Sequence, residues 1–199
     1  MKKMIWLTTL FVLSLVLIIP TVFALMLDMV PAADQPGYNS DKRLALYGER
    51  DVSQKFVSQQ ENLLAIATSI RNPNLKNKKE ITFNLYDKEK GLIRTAILNG
   101  QNIEDGDFVK FVFPVIPDSL GKEYSFTLST SLAGPEETIE VFYIDIPTES
   151  VLEFIYDEKT YPGGIPLVTF HKPNSRFEVV KEVYFSLFSR LLSPRSQRT

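Results

Sequence analysis

The sequence predicts an all-β protein, an antiparallel β-sandwich preceded by a transmembrane helix and followed by an amphipathic helix. Three observations lead to this fold class. An uncharged apolar run near the N-terminus has the length of a membrane span. Short runs that alternate apolar and polar residues, each closed by turn residues, fill the middle of the chain. Apolar residues at helical spacing follow near its end.

Residues 1–27 are predicted to form a transmembrane anchor. Lys2 and Lys3 precede the apolar run Ile5–Leu27, which covers the roughly 20 residues that a helix needs to cross the hydrocarbon core. Lysines before the run and Asp28 after it favour a cytoplasmic N-terminus, because positively charged flanks stay inside. The chain is then a single-pass protein of the cell membrane. Its first partner is the lipid bilayer, and its C-terminal domain is extracytoplasmic.

A cleaved signal peptide is the alternative interpretation of the same segment. Val22–Ala24, just after the helix breaker Pro20, and Val30–Ala32 both end in a small residue of the kind found at cleavage sites. Cleavage after Ala24 would leave the apolar residues Leu25–Leu27 as a new N-terminus. Both interpretations export the rest of the chain.

The composition narrows the class of protein. Because the 199 residues include no cysteine, no disulfide forms, and a hydrophobic core alone must hold the exported part together. The net charge is −2, and the one basic cluster, Arg71–Lys79, has no interleaved aromatic residue. We therefore interpret this cluster as a solvated loop and expect no nucleic-acid partner.

Residues 28–43, rich in Pro, Asp and Gly, are predicted to be a stalk linker, and residues 44–146 the sandwich domain. The turn sequences Asp87–Gly91 and Asn99–Gly100 separate alternating runs, and the second favours positive backbone angles. Intervals of about 10–15 residues between runs are too short for crossover helices, which predicts antiparallel neighbours in two packed sheets. The predicted strands contain Leu64–Ile70, Ile81–Tyr86, Ile93–Ile97, Val109–Phe113, Tyr124–Ser129 and Ile139–Tyr143.

Residues 147–199 are predicted to be an extension with edge strands and an amphipathic helix. Val151–Tyr156 and Leu167–Phe170 are the strand candidates, separated by the loop Tyr161–Pro166. The helix ends before Pro194 and either packs on protein or lies on the membrane surface. Its apolar positions are Val180, Val183, Tyr184, Leu187, Phe188 and Leu191, with Phe185 beside the stripe and Lys181, Glu182 and Arg190 opposite.

A search for catalytic chemistry identifies no catalytic, metal or cofactor residues. His171 is the only histidine, so a usual zinc site is nearly excluded, and we interpret it as a surface or loop residue. No nucleophile elbow, phosphate-binding loop or dinucleotide fingerprint is present. The acidic cluster Glu104, Asp105 and Asp107 fits a solvated turn better than a calcium site or a glycosidase pair, and Glu136–Glu137 fits a charged hairpin tip.

One part of the chain, residues 50–145, resembles the galactose-binding-like jelly-roll domains on the outer side of uncharacterised bacterial membrane proteins. The most specific part is Pro114-x-Ile116-x-Asp118-Ser119-x-Gly121-Lys122-x-Tyr124. The other matching residues are Gln54, Phe56, Asn62, Leu63, Phe83, Leu85, Asp87, Arg94, Phe111, Phe113 and Phe126. The resemblance implies a jelly-roll-like sandwich on the outer side of a membrane and transfers no ligand-binding residue.

The expected function is that of a non-enzymatic, membrane-anchored module that contacts other proteins of a membrane or cell-envelope complex. The alternative is a carbohydrate-binding module acting on envelope or extracellular polysaccharide. Its aromatic candidates are Tyr38, Tyr156 and Tyr161, which are explained more simply by packing at sheet edges. The ligand-binding residues of either function are unknown at this point, and a hydrolase is the least favoured class.

Overall fold

The structure, a computed structural model, describes residues 2–32, 42–104, 107–146 and 151–192. The chain divides into two compact units. The helical unit combines residues up to 30 with those from 173 onward, and the sandwich unit comprises residues 31–172. Most of the predicted stalk, together with Tyr38, lies outside the described residues.

The sandwich unit consists of two antiparallel sheets, which confirms the predicted fold class. In the first sheet, β7 pairs with one side of β4, while β12 and β9 share the other side and β2 follows β9. The second sheet has the order β11-β10-β3-β8-β5-β6. The strands are β1 (Val30–Pro31), β2 (Arg43–Leu46), β3 (Val52–Val57), β4 (Leu63–Arg71), β5 (Glu80–Asp87), β6 (Leu92–Asn99), β7 (Asp107–Ile116), β8 (Glu123–Ser129), β9 (Ile139–Phe142), β10 (Val151–Tyr156), β11 (Lys159–Thr160) and β12 (Val168–His171).

Most connections carry the chain from one sheet to the other. From β2 to β12 only two pairs of consecutive described strands, β5–β6 and β10–β11, are hairpins. The two strands predicted after residue 146 belong to the sandwich, one in each sheet. Strand β10 pairs with β3 in the second sheet, and β12 pairs with β4 in the first. Each sheet is therefore assembled from strands that are distant in sequence.

Aromatic rings from both sheets meet at the centre of the core. The ring of Phe83 on β5 stacks on that of Phe111 on β7, with centroids 4.7 Å apart, and also contacts Phe126 at 5.2 Å and Phe113 at 6.3 Å. Phe83 and Phe126 are fully buried. Since the chain has no cysteine, this stack and the aliphatic residues around it hold the two sheets together.

A turn follows β6 as predicted, but the positive backbone angles expected at Asn99–Gly100 are not observed. Neither residue has a positive φ, and residues 100–102 form a short 3₁₀ turn that leads from β6 in one sheet to β7 in the other. The glycine is required by space, because a Cβ atom at position 100 would lie 2.6 Å from the backbone oxygen of Asn77. Its role is close approach rather than a left-handed conformation.

The predicted loop within Arg71–Lys79 contains a buried polar centre that the sequence did not indicate. Asn72 and Asn77 are both fully buried. The Asn72 side-chain amide donates to the carbonyls of Asn77 and Gly100 at 3.0 and 2.9 Å, and the Asn77 amide donates to the carbonyl of Glu137 at 2.5 Å. Two side chains therefore tie together the loops that follow β4, β6 and β8.

The helical unit contains α1 (Lys2–Met26) and α2 (Arg176–Leu192). In α1, residues Ile5–Met26 are long and apolar enough to span a membrane, although near an N-terminus a signal sequence has the same properties. The predicted C-terminal helix is confirmed as α2. The two helices run antiparallel, since Arg176 contacts Leu25 and Tyr184 contacts Leu17.

We expect Phe83→Ala to lower the free energy of unfolding by about 3–5 kcal/mol, because it leaves a cavity between the sheets. The matched control is Phe108→Ala on the outer face of β7, where 41% of the side chain is exposed. This control should lose less than half as much, because a large part of residue 108 already faces water. Denaturant unfolding of the full chain in detergent, followed by circular dichroism, measures both values. Equal losses in the two variants would contradict the central role of Phe83.

Candidate functional surfaces

The residues that carry the jelly-roll resemblance have structural roles. Gln54 is fully buried, and its side chain donates to the carbonyl of Ile165 at 3.2 Å and accepts from the Ile165 N–H at 2.7 Å. The Ser119 hydroxyl donates to the carbonyl of Gln60 at 2.7 Å and accepts from the Leu63 N–H at 3.1 Å. These side chains anchor loops to strands and are not available to a ligand.

The turn residues of the resemblance are structural in the same sense. The Asp87 carboxylate accepts from the backbone N–H groups of Glu89 and Gly91 at 3.0 and 2.8 Å, which closes the β5–β6 hairpin as predicted. Asp118 and Gly121 have positive φ values of 49° and 71°, in the loop that leads to β8. Asp87, Asp118 and Gly121 therefore have structural roles in turns.

Arg94 closes the open side of the sandwich. Its guanidinium donates to the carbonyls of Pro114 and Val115 on β7, at 3.0 and 3.4 Å, and to its own neighbour Ile93 at 2.7 Å. Strands β6 and β7 belong to different sheets, so this side chain joins the two sheets along one edge. It also occupies carbonyl groups that an added strand would need.

The prediction of a surface or loop position for His171 is wrong. The residue lies in β12 and is only 2% exposed. Nδ1 lies 3.0 Å from the carbonyl oxygen of Glu61, and Nε2 lies 3.0 Å from Oγ1 of Thr169. Because a carbonyl only accepts, Nδ1 carries the proton and Nε2 accepts from the threonine hydroxyl. Burial lowers the pKa of the imidazole, although the hydrogen bond to Glu61 acts in the opposite direction.

The acidic clusters are distributed over loops. Glu104 is exposed before β7, whereas Asp105 and the side chain of Asp107 lie outside the described residues. Glu136 and Glu137 lie in a short 3₁₀ turn between β8 and β9. Within the described parts of the chain, no group of three or more His, Cys, Asp or Glu side chains is arranged to hold a metal ion.

Tyr156 and Tyr161, two of the aromatic candidates for a sugar platform, pack at the edge of the core. Their rings are 6.0 Å apart in an edge-to-face arrangement, and Tyr161 also contacts Tyr143 at 6.3 Å. The Tyr156 hydroxyl donates to the carbonyl of Ala45 at 2.9 Å. Burial raises the pKa of Tyr156. The two rings therefore contribute mainly to packing.

The outer face of the second sheet carries a polar groove that crosses four strands. Strand register places side chains in two rows, Glu153–Lys55–Ser125–Tyr86 and Ile155–Ser53–Thr127–Asn84. The groove has a volume of about 280 Å³, and Lys55 and Glu153 also line a second depression of about 410 Å³ beside β10. The groove is lined by Ser53, Lys55, Tyr86, Asp87, Lys88, Lys90, Tyr124, Ser125, Thr127, Glu153 and Ile155.

One carboxylate near this groove is paired with two lysines. Glu123 lies 3.2 Å from the Lys55 ammonium and 3.4 Å from that of Lys88. These hydrogen bonds lower the pKa of Glu123, which stays ionised at neutral pH. The sequence contained a signal for the groove, since Ser125 and Thr127 alternate with core residues of β8. The sequence did not show which strands would lie next to β8.

The outer face of the first sheet is more apolar. Phe108, Lys110 and Val112 point outward from β7, and we call this set the β7 strip. Phe108 is 41% exposed and Val112 is 53% exposed. The ammonium of Lys110 lies 4.0 Å from the ring centroid of Phe170, a cation–π contact above the small residues of β4. The strip combines exposed apolar surface with one positive charge.

No protein-family model matches the chain, and no curated protein matches it. Among solved structures, the chain aligns with the D1–D2–D3 domains of the flagellar cap protein FliD from Escherichia coli, at 9% sequence identity. The alignment covers 88% of this chain and 79% of that one, with a TM-score of 0.15. A TM-score of this size carries no argument about fold or function. The galactose-binding-like resemblance is not confirmed by a family match, whereas the two-sheet sandwich stands on the structure.

We expect protonation of His171 to destabilise the fold. Its native pKa lies below the ordinary value of 6.5, so the unfolded chain binds the proton more tightly, and stability falls as the pH drops below about 6.5. His171→Gln should remove this part of the pH dependence, because no other histidine is present. Unfolding midpoints at about pH 7.5 and about pH 5.5 test this. An equal decrease in both proteins would contradict the assignment.

Proposed function

We propose that the protein is a non-enzymatic, membrane-anchored module whose sandwich lies on the extracytoplasmic side and binds another protein of a membrane or cell-envelope complex. The order of the chain supports this function, since a helix of membrane-spanning length precedes a sandwich unit. The charge of the flanking residues supports the orientation.

The observation that carries the proposal is the β7 strip. Exposed apolar residues that share one sheet face with few polar groups between them are typical of protein contact sites. Phe108 and Val112 flank Lys110 on alternate positions of one strand, so the three side chains share one face. Phe108 and Val112 provide apolar area for such a contact, and the charge of Lys110 can orient the partner.

The partner is expected to bind the face of β7 rather than extend the sheet. Pro114 has no N–H to donate, and Arg94 occupies the carbonyls of Pro114 and Val115. Both features discourage strand addition along this edge. Side-chain contact with the strip is then the mode that the geometry favours.

A photo-crosslinking amino acid at position 108 or 112, in place of Phe108 or Val112, tests this proposal in intact membranes. We expect an adduct with a discrete membrane protein from either position. The same amino acid at Thr127 in the polar groove is the matched control and should give no such adduct. Val112→Asp, combined with the probe at 108, should reduce the adduct at least several-fold, because burying an unpaired carboxylate is unfavourable. Adducts of equal yield from 108 and 127 would contradict a contact through the strip.

Polysaccharide binding is the second candidate, and the polar groove is the observation that favours it. Its two rows present hydroxyl, amide, ammonium and carboxylate groups across adjacent strands, with Tyr86 as the aromatic member. Strands are spaced about 4.8 Å apart, so an extended chain of hydroxyl-rich units lying across them meets a polar side chain at each strand. Lys55 in the groove is paired with Glu123 beside it, so both charges are available to a ligand.

Retention of the detergent-solubilised protein on envelope polysaccharide tests this second function. If sugar binding is correct, Tyr86→Ala and Ser125→Ala should each weaken retention several-fold, since each removes a direct contact from the groove. Phe108→Ala, on the opposite outer face, is the matched control and should retain full binding. No retention of the parent protein on any polysaccharide, together with a crosslinked protein at position 108, would reject sugar binding.

A further inference from the structure

The helical unit has an arrangement that a single-pass anchor does not require. The Tyr184 hydroxyl lies 2.9 Å from Oγ1 of Thr21 and also donates to the carbonyl of Leu17. The Arg176 guanidinium donates to the carbonyl of Leu25 at 3.1 Å, to that of Leu27, and to the Asp28 carboxylate at 3.1 Å. Helix α2 therefore begins beside the end of α1 and runs back along it.

The depth of α2 follows from this register. Leu17 lies nine residues before Met26, about 14 Å along the helix axis. Half of a hydrocarbon core is about 15 Å thick. If α1 spans the membrane with Met26 near one interface, the Tyr184 hydroxyl is close to the bilayer midplane. A hydroxyl at that depth needs protein partners, and Thr21 and Leu17 supply them.

Two of the charges of α2, on Arg176 and Lys181, suit this position. Arg176 is level with Asp28, where it satisfies carbonyls at the C-terminal end of α1 that lack intrahelical partners. The Lys181 ammonium reaches back to within 4.9 Å of the Phe177 ring centroid, one turn nearer the interface. This is the direction in which a membrane lysine snorkels. From Val183 to Ser189 the sequence carries no charge, whereas Glu182, two positions before Tyr184, must be protonated or paired at this depth.

The exposed side of α2 changes character along the helix, from the charged residues Glu178 and Lys181 in its first half to aromatic rings in its second half. Phe185 is 77% exposed and Phe188 is 57% exposed. In water these rings would be costly to leave uncovered, but beside a membrane-spanning α1 they are at the depth of acyl chains. The exposed apolar residues of α1 surround the same level, including Leu15 and Ile18.

We infer that α2 is inserted in the bilayer alongside α1, with Phe185 and Phe188 against lipid, so that the anchor is a two-helix hairpin. The occupant of the aromatic face is the hydrocarbon of the membrane. Arg190 follows Tyr184 by six residues, about 9 Å along a helix axis. Its position in the sequence therefore corresponds to a level past the midplane, towards the opposite interface. The inference rests on α1 being the membrane anchor of the proposed function, and it is independent of the protein partner.

The test uses the full chain in vesicles of phosphatidylcholine and phosphatidylglycerol. Because the chain has no cysteine, Phe185→Cys, Phe188→Cys and Leu132→Cys each provide one site for a spin label. Leu132, in a loop of the sandwich unit and 68% exposed, is the water-facing control. Collisions with oxygen, which concentrates in the bilayer, are compared with collisions with a water-soluble nickel chelate.

Labels at 185 and 188 should collide with oxygen at least several-fold more, relative to nickel, than the label at 132. Nickel accessibility equal to that at 132 would overturn the inference, because α2 would then be in water. Protection from both reagents would also overturn it, since a second copy or another protein would cover the face. Trp6, the only tryptophan, reports separately on α1 through quenching by brominated lipid. Unquenched Trp6 would show failure of the anchor itself, which the proposed function also requires.

Discussion

The contact between Phe83 and Phe111 is the interaction on which the sandwich depends. The inner face of each sheet is buried because the other sheet covers it. No disulfide adds to this contact, since the chain has no cysteine. The aromatic stack fills the centre, and the buried amides of Asn72 and Asn77 secure the loops at one end of the sheets. Apolar area provides most of the stabilisation, whereas the amides define how the connecting loops are arranged.

The alternation of apolar and polar residues was sufficient to predict the strands and which of their residues face the core. In β8 and β5 the inward residues are those that the pattern indicates, because a strand has only two faces and water selects between them. The pattern could not predict that the chain changes sheets after Asn99–Gly100. The same turn residues can begin a hairpin or a connection to the other sheet. His171 and Asn77 were misjudged for a related reason. Polar side chains are buried when loops and strands distant in sequence supply their partners.

The two candidate surfaces were only partly predictable. Each lies on outward positions of strands, where the sequence identifies which residues point outward but not which strands are neighbours. The groove requires β10, β3, β8 and β5 to lie side by side, and these strands are separated by long stretches of chain. The residues of the jelly-roll resemblance lie elsewhere. Ser119 and Gln54, for example, hydrogen-bond to loop backbone and so hold these loops in place. A resemblance carried by such residues predicts architecture better than ligand.

The frequent passage of the chain between the two sheets has a consequence for the order of folding. The first half of β4 is paired with β12, whose residues 168–171 are synthesised about a hundred positions later. Assembly from distant segments is slow, because long loops must close before their contacts form. The sandwich therefore cannot be completed while the ribosome is still producing β12.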